Sequence, residues 1–172
     1  MQSFTYSVDT RSPEFSFMNN LILINDRYSA GAGNLNLKAE TNHSINYMLM
    51  YKIMLFTLNH EYIHHPLMSY YYSAPENSSV IVGSVQNFDH RQNINAILNF
   101  RKSIKRITPS LSFILMKSIF NYPGLNNTIL KDSRPVFATS LDVTASLPKD
   151  WLLTAKYYHN WGGDLQMIRV GK

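Results

Sequence analysis

An alternation of apolar and polar residues with a period of two is the feature that most restricts the fold of this chain. It is cleanest between residues 136 and 147, where the apolar positions are Phe137, Leu141, Val143, Ala145 and Leu147 and the polar ones are Ser140, Asp142, Thr144 and Ser146. Side chains of a β-strand point alternately to opposite faces, so this period predicts a strand with one apolar and one polar face.

The same alternation recurs along the chain and predicts strands at residues 2–9, 44–51, 54–62, 92–100, 110–119 and 151–161. Shorter elements are predicted at residues 21–24 and 80–85, and another loop or strand after Asp164. Short connections near residues 52, 103 and 149 alternate with long loops at residues 14–40, 65–79 and 120–134. The sequence therefore predicts an all-β fold, an antiparallel up-and-down meander of about seven or eight strands in one domain.

The composition of the two predicted faces suits a transmembrane β-barrel. Charged residues make up only 16% of the chain and aromatic residues 13%. Ser, Thr, Asn and Asp are predicted to point inward, and Leu, Phe, Val and Tyr outward, as in a barrel with a polar lumen and an apolar band edged by aromatic girdles. The predicted girdle residues are Tyr47, Tyr51, Tyr62, Trp151, Tyr157 and Trp161. The predicted location is the outer membrane of a bacterium, with outer-membrane lipid as a partner.

A soluble β-sandwich binding module is the alternative of the same fold class, but its outer faces usually carry more Lys and Glu. The longest uncharged run between residues 40 and 64 covers residues 41–51, which is far short of the roughly 20 residues of a membrane-spanning helix. The first ten residues lack a basic segment followed by an apolar one, so no signal peptide is expected. The chain has no cysteine, which excludes disulfides and thiolate metal sites.

A competing interpretation of residues 40–64 is a helix that carries His60-Glu61-Tyr62-Ile63-His64. On a helix, H-E-x-x-H places two imidazoles on one face for zinc, with the glutamate as general base of a metallopeptidase. In a strand the two histidines lie roughly 13 Å apart, too far to share one ion. The strand is preferred and no metal, cofactor or catalytic residue is predicted. The zinc peptidase stays as an alternative, with Glu76 as its third ligand.

Two further acidic positions are candidates for acid–base chemistry. No nucleophile lies at a recognisable spacing from the pair Asp89-His90 or from Asp142. We therefore expect these residues to be polar groups of a solvated loop or of the lumen. The protein is therefore predicted not to be an enzyme.

A basic connection and a tyrosine run are candidates for binding. The basic residues are Arg101, Lys102, Lys105 and Arg106. They lack an interleaved aromatic platform, so a solvated periplasmic turn is favoured over nucleic-acid binding. The net charge of +5 follows from few acids and dispersed basic residues. The run Tyr70-Tyr71-Tyr72 fits stacking on a ligand or packing within a loop, and no ligand is named for it.

Residues 28–40, YSAGAGNLNLKAE, resemble a loop in the C-terminal barrel portion of TonB-dependent receptors and related outer-membrane β-barrel proteins of Gram-negative bacteria. The family pattern is an aromatic stretch, then G-N-P-x-L-K-P-E, then a strand that descends to the periplasm. Gly33, Asn34, Leu37, Lys38 and Glu40 match it. Two prolines of the pattern are replaced, by Leu35 and Ala39. Residues 11–13 and 87–91 are weaker family features.

The resemblance implies a barrel of about 22 strands closed by an N-terminal plug. It also implies uptake of a scarce nutrient with energy passed on by TonB. Residues 1–172 hold about seven or eight strands, without a plug domain or the usual terminal strand that closes on an aromatic residue. We therefore expect a barrel segment of a larger protein, with an unknown small nutrient as ligand and TonB as a partner through the missing N-terminal region.

Overall fold

The computed structural model describes residues 1–74, 79–123, 129–131, 134–165 and 168–169, and side chains of residues 1–74, 79–120 and 134–163. Its strands are β1 (Gln2–Arg11), β2 (Ile22–Ile24), β3 (Ser29–Ala32), β4 (Glu40–Tyr51), β5 (Met54–His64), β6 (Leu67–Ser73), β7 (Ile81–Asn87), β8 (His90–Arg101), β9 (Ile107–Pro123), β10 (Ile129–Lys131), β11 (Val136–Ser146), β12 (Leu152–Gly162), β13 (Asp164–Leu165) and β14 (Ile168–Arg169). A short 3-10 helix lies at Phe15–Phe17. Within these residues no helix has the length and hydropathy to cross a bilayer.

Seven long strands form one antiparallel sheet, which we name the wall, in the order β1-β4-β5-β8-β9-β11-β12. This order confirms the predicted up-and-down meander. β4 joins β5 at residues 52–53, β8 joins β9 at residues 102–106, and β11 joins β12 at residues 147–151. These are the three predicted short connections. Because neighbouring strands are antiparallel, all three lie at one end of the sheet, the short-turn end, and the long connections lie at the other, the long-loop end.

The register of the wall gives it two faces, because residues opposite each other in adjacent strands point the same way. One row across six strands consists of Phe4, Tyr47, Leu58, Ala96, Leu115 and Phe137. The row beside it consists of Thr5, Asn46, Asn59, Asn95, Met116 and Val136. We name the faces that contain these rows the apolar face and the polar face. The predicted assignment of residue types to opposite faces is confirmed.

Burial identifies the polar face as the inner one. The buried wall residues all lie on it, and they are Ser44, Ile63, Ser118, Phe120, Val136 and Ala138. No described wall residue of the apolar face is buried, and on the edge strands Phe4 and Tyr157 are 67% and 61% exposed. A β-sandwich packs the apolar faces of two sheets against each other. No described residues cover the apolar face in that way, so the described sheets do not have the arrangement of the sandwich alternative.

Four of the six predicted girdle residues lie at or near the strand ends. Tyr51 and Trp151 lie at the short-turn end, and Tyr62 and Trp161 lie near the long-loop end. Tyr47 and Tyr157 lie closer to the middle of β4 and β12.

The long connections at residues 14–40 and 65–79 are not plain loops, and that prediction is wrong. They hold a second sheet in the order β2-β3-β7-β6, which we name the cap together with the 3-10 helix. β2 was predicted at residues 21–24, β7 corresponds to the short strand predicted at residues 80–85, and β3 and β6 were missed. The alternation does not predict β6, because three successive tyrosines occupy both of its faces. Tyr71 covers its register partner Gly83, whereas Tyr70 and Tyr72 stack 5.4 Å apart.

The third long connection, predicted as a loop at residues 120–134, also begins as strand. β9 continues to Pro123 and pairs with β10. The sequence does not predict this extension, because the turn-forming pairs Pro123-Gly124 and Asn126-Asn127 indicate a loop. β13 and β14 pair antiparallel after residue 163, where either a loop or a strand was predicted.

Candidate functional site

The polar face of the wall carries a ladder of amide and hydroxyl side chains across β4 and β5. Asn59 Nδ2 donates to Asn46 Oδ1 at 2.8 Å and to the buried Ser44 Oγ at 3.4 Å. Asn46 Nδ2 donates to the same hydroxyl at 3.2 Å. Asn46 and Asn59 are direct register partners, so the bonds follow from the alternation that places both on this face.

A second network lies across β5, β8 and β9. Asn93 Nδ2 donates to Glu61 Oε2 at 3.0 Å, and Ser118 Oγ donates to Asn93 Oδ1 at 3.0 Å. Nearer the short-turn end, Asn99 Nδ2 donates to the hydroxyls of Ser110 and Ser112 at 2.9 and 2.8 Å. Uncharged polar groups thus line much of the inner face, a surface that suits water and polar solutes.

In the part of the chain that the structure describes, three buried polar atoms on this face have no hydrogen-bond partner. They are Asn42 Oδ1, Arg91 Nε and Asn160 Oδ1. All three lie in the half of the wall nearer the cap. Buried polar atoms are rarely left unpaired, so water or a polar solute is needed to satisfy them.

The zinc hypothesis for His60, Glu61 and His64 is wrong in its structural premise. The segment is strand β5, paired along its length with β4 and β8. Both histidines point to the apolar face and Glu61 points to the polar face, so the three side chains diverge. Glu76, the proposed third ligand, lies outside the described residues. Within the described part of the chain no three His, Asp or Glu side chains form a group able to hold a metal ion.

The other acidic candidates contact nitrogen-bearing side chains. Asp142 Oδ1 lies 3.6 Å from Lys156 Nζ across β11 and β12. Asp89 Oδ2 lies 2.8 Å from His90 Nδ1 at the point where the cap joins β8. The basic candidates lie in and beside the β8–β9 turn at the short-turn end, and Lys105 adopts a φ of 53° at its tip.

The loop that resembles TonB-dependent receptors fastens the cap to the wall. Asn87 is the centre of the attachment, because its Oδ1 accepts from Lys38 N at 2.7 Å while its Nδ2 donates to Lys38 O and His65 O at 2.9 and 2.7 Å. Glu40 Oε2 accepts from Leu67 N at 3.0 Å. Asn34 Nδ2 donates to Val85 O at 3.1 Å.

Apolar packing supplements these bonds. Leu37 is 7% exposed, and a side chain at Gly33 would overlap Asn19. The five positions that match the family pattern therefore contribute to positioning the cap.

The cap contains a partly open cavity of about 300 Å³ between the 3-10 helix and the face of its sheet. Its lining mixes apolar and polar groups, among them Phe17, Leu23, Tyr71, Asn19, Ser69 and Ser84. Of the predicted tyrosine run, only Tyr71 faces this cavity. A cavity of this composition can hold a small amphipathic molecule.

A turn connects β2 to β3 in the cap. Asp26 accepts from Ser29 Oγ and from Tyr28 N, both at 2.7 Å. These bonds, the one from the Ser29 hydroxyl first, hold the pKa of Asp26 below its ordinary value of 3.8.

A cluster of nitrogen-bearing side chains on the apolar face was missed by the sequence reasoning. We name it the collar, and its members are His43, His60, His64, His90, Lys117 and His159. Each lies in the half of its strand nearer the long loops. Tyr6 Oη lies 2.7 Å from His43 Nδ1, and the His43 and His64 rings meet edge-on at 5.7 Å. Projecting the alternation onto aligned strands would have revealed the cluster.

Comparison with family models gives one assignment for nearly the whole chain. Residues 1–167 match a family described as outer membrane protein beta-barrel family. No curated protein and no solved structure matches this chain.

Proposed function

The chain belongs to the outer membrane protein β-barrel family of the bacterial outer membrane, and from that premise we propose that it forms part of a TonB-dependent receptor for nutrient uptake. In this role it is not an enzyme. Its apolar face contacts membrane lipid, its polar face lines the lumen, and the cap stands on the extracellular side.

The observation that carries the proposal is the combination of a two-faced wall with a folded cap at one end. Short turns at one end and long loops at the other are the layout of outer-membrane barrels, in which the long loops are extracellular. Here the long loops are tied to the wall by the hydrogen bonds of Asn87 and Glu40. An ordered cap with a cavity at the mouth of a polar lumen suits capture of a solute before transport.

The TonB-dependent assignment is supported by the loop at residues 28–40, where Gly33, Asn34, Leu37, Lys38 and Glu40 match the pattern of that family. Those residues build the attachment of the cap. The same attachment is expected in a receptor whose loops must hold a nutrient above the lumen.

Growth of a deletion strain tests the uptake role. Parent and deletion strains are compared on a panel of limiting sources of iron, cobalamin, carbohydrate and peptide. We expect slow growth on one source only, and the same defect in a strain without TonB. The full gene restores growth, whereas a cap variant, Asn87→Ala, restores less. Normal growth of the deletion strain on every source would contradict the role.

Single cysteines test the orientation separately from uptake. A membrane-impermeant maleimide added to intact cells should label a cysteine at exposed Asn20 in the cap and should not label one at Lys149 in the β11–β12 turn. The opposite labelling would mean that the wall is inverted.

A further inference from the structure

We propose that the long-loop half of the apolar face binds a phosphorylated lipid of the outer leaflet, with its phosphate at Lys117 and an acyl chain in a groove beside that residue. The inference rests on the proposed orientation of the wall. It adds a defined lipid site to a surface that otherwise meets lipid at random.

Lys117 is an unusual residue for its position. Among the described strand residues of the apolar face it is the single Lys, Arg, Asp or Glu. Its register partner is Ile94, and its neighbours along the same face of β9 are Leu115 and Ile119. No hydrogen bond or ion pair joins its ammonium to another described residue. An unpaired charge on a lipid-facing strand is costly, and an anionic headgroup removes that cost.

A groove begins immediately on the short-turn side of Lys117. It has a volume of about 500 Å³ and an almost wholly apolar lining. Ala96 forms its floor, because this small residue lies in a row between the larger Leu58 and Leu115. Its walls are built by Phe56, Phe113, Phe137 and Trp161. An unbranched acyl chain has the shape and polarity to fill such a groove.

Two collar residues lie around Lys117 and its groove. His60 stands in the same register row as Lys117, two strands away, which is roughly 10 Å. His159 contacts the groove wall through the Trp161 ring, with 4.6 Å between ring centroids. His60 Nε2 lies 3.4 Å from Gln92 Oε1, so this nitrogen already has a polar partner. His159 pairs with Thr139, which in turn pairs with Phe113, so His159 stands beside the groove and not in the row of Lys117.

Charge complementarity selects the class of partner. The described half of the apolar face nearer the short turns contains no His, Lys or Arg on its strands. The one strand cation of the described apolar face therefore lies in the long-loop half, on the headgroup side of the groove, and an acyl chain in the groove extends from it toward the middle of the bilayer. Lys117 is therefore the phosphate-binding group, and His60 shares its register row.

The experiment measures lipid retained by the full protein purified in detergent. The probes are lipid A (a diphosphorylated glucosamine disaccharide lipid), its dephosphorylated form, and inorganic phosphate. Lys117→Gln is compared with Lys102→Gln, which removes the same charge at the β8–β9 turn. Ala96→Phe fills the groove and is compared with Ala155→Phe, which adds the same ring elsewhere on the apolar face. Lys117→Arg is the conservative variant.

We expect Lys117→Gln and Ala96→Phe each to lower retention of the phosphorylated lipid about tenfold. Lys117→Arg and the two controls should retain it, and the dephosphorylated lipid and free phosphate should bind weakly to all variants. Equal retention by Lys117→Gln and Lys102→Gln, or equal binding of both lipid forms, overturns the site. Heat-modifiable migration reports barrel assembly independently. Loss of assembly in the unmodified protein would overturn the proposed function, whereas assembly without selective retention overturns the lipid site alone.

Discussion

The wall and the cap are both made of β-strands, but different interactions specify them. In the wall, registers of ten or eleven residue pairs repeat from strand to strand, as between β4 and β5. The cap has short strands, and its β3 and β7 are parallel neighbours joined over only four pairs. Side chains such as Asn87 and Glu40 fix the cap in place.

This difference predicts how each region responds to substitution. In the wall the face to which a side chain points decides the effect, because no single hydrogen bond between side chains holds the sheet. In the cap the loss of one side chain removes several bonds at once. Substitutions in the two regions should therefore be separable by experiment.

The largest effect is expected for charges placed on the apolar face of the wall. Leu141→Arg and Val143→Arg should each weaken membrane assembly by about 2–4 kcal/mol near the bilayer midplane. Thr144→Arg, which points to the polar face, should be tolerated far better. The measurement is unfolding by urea from lipid vesicles. Equal losses in all three variants would mean that both faces of β11 are buried in protein.

A smaller and local effect is expected in the cap. Asn87→Ala removes three hydrogen bonds, to Lys38 N, Lys38 O and His65 O, and should loosen the cap by about 2 kcal/mol. Faster hydrogen exchange at the Lys38 amide and faster proteolysis of β6 report this change. Amides of β11 should stay protected. Asn36→Ala is the control, and an equal effect from it would contradict the role of Asn87.

Glu61→Gln should have a smaller effect again, below about 1 kcal/mol, because the amide keeps an acceptor oxygen for Asn93. Purified protein should hold no stoichiometric zinc, and His60→Ala should not alter its metal content. Zinc near one per chain, lost in His60→Ala, would restore the peptidase alternative.

The smallest effect concerns the Asp26 turn of the cap. The pKa of Asp26 is lowered in the folded protein, so the stabilisation is present above the unfolded pKa and is lost as the pH falls through the lower, folded value. Hydrogen exchange at Tyr28 N should therefore accelerate on acidification. Asp26→Asn should abolish this pH dependence, and an unchanged profile in that variant would contradict the assignment.

The sequence predicts the wall far better than the cap, for a physical reason. In residues 136–147 the face to which each side chain points follows from its position along its own strand, so the alternation alone locates β11. The pairing of Gly31 with Gly83 in the cap depends on two distant segments that have no periodic pattern. The collar needs the relative register of several strands, because His43, His64 and His90 come together only after β4, β5 and β8 are aligned. Sequence likewise cannot tell that Asn34 and Glu40 attach the cap.

Nitroxide scanning of β11 tests the central claim most directly, namely that the apolar face meets lipid and the polar face meets water. Single labels are placed from Thr139 to Ala145 in the protein reconstituted in bilayers, and their collision rates with oxygen and with a water-soluble nickel chelate are measured. We predict a period of two residues, with oxygen collisions highest at Leu141 and Val143 and nickel collisions highest at Asp142 and Thr144. Frequent nickel collisions at all four positions would contradict this claim. So would the opposite pattern, with oxygen collisions highest at Asp142 and Thr144.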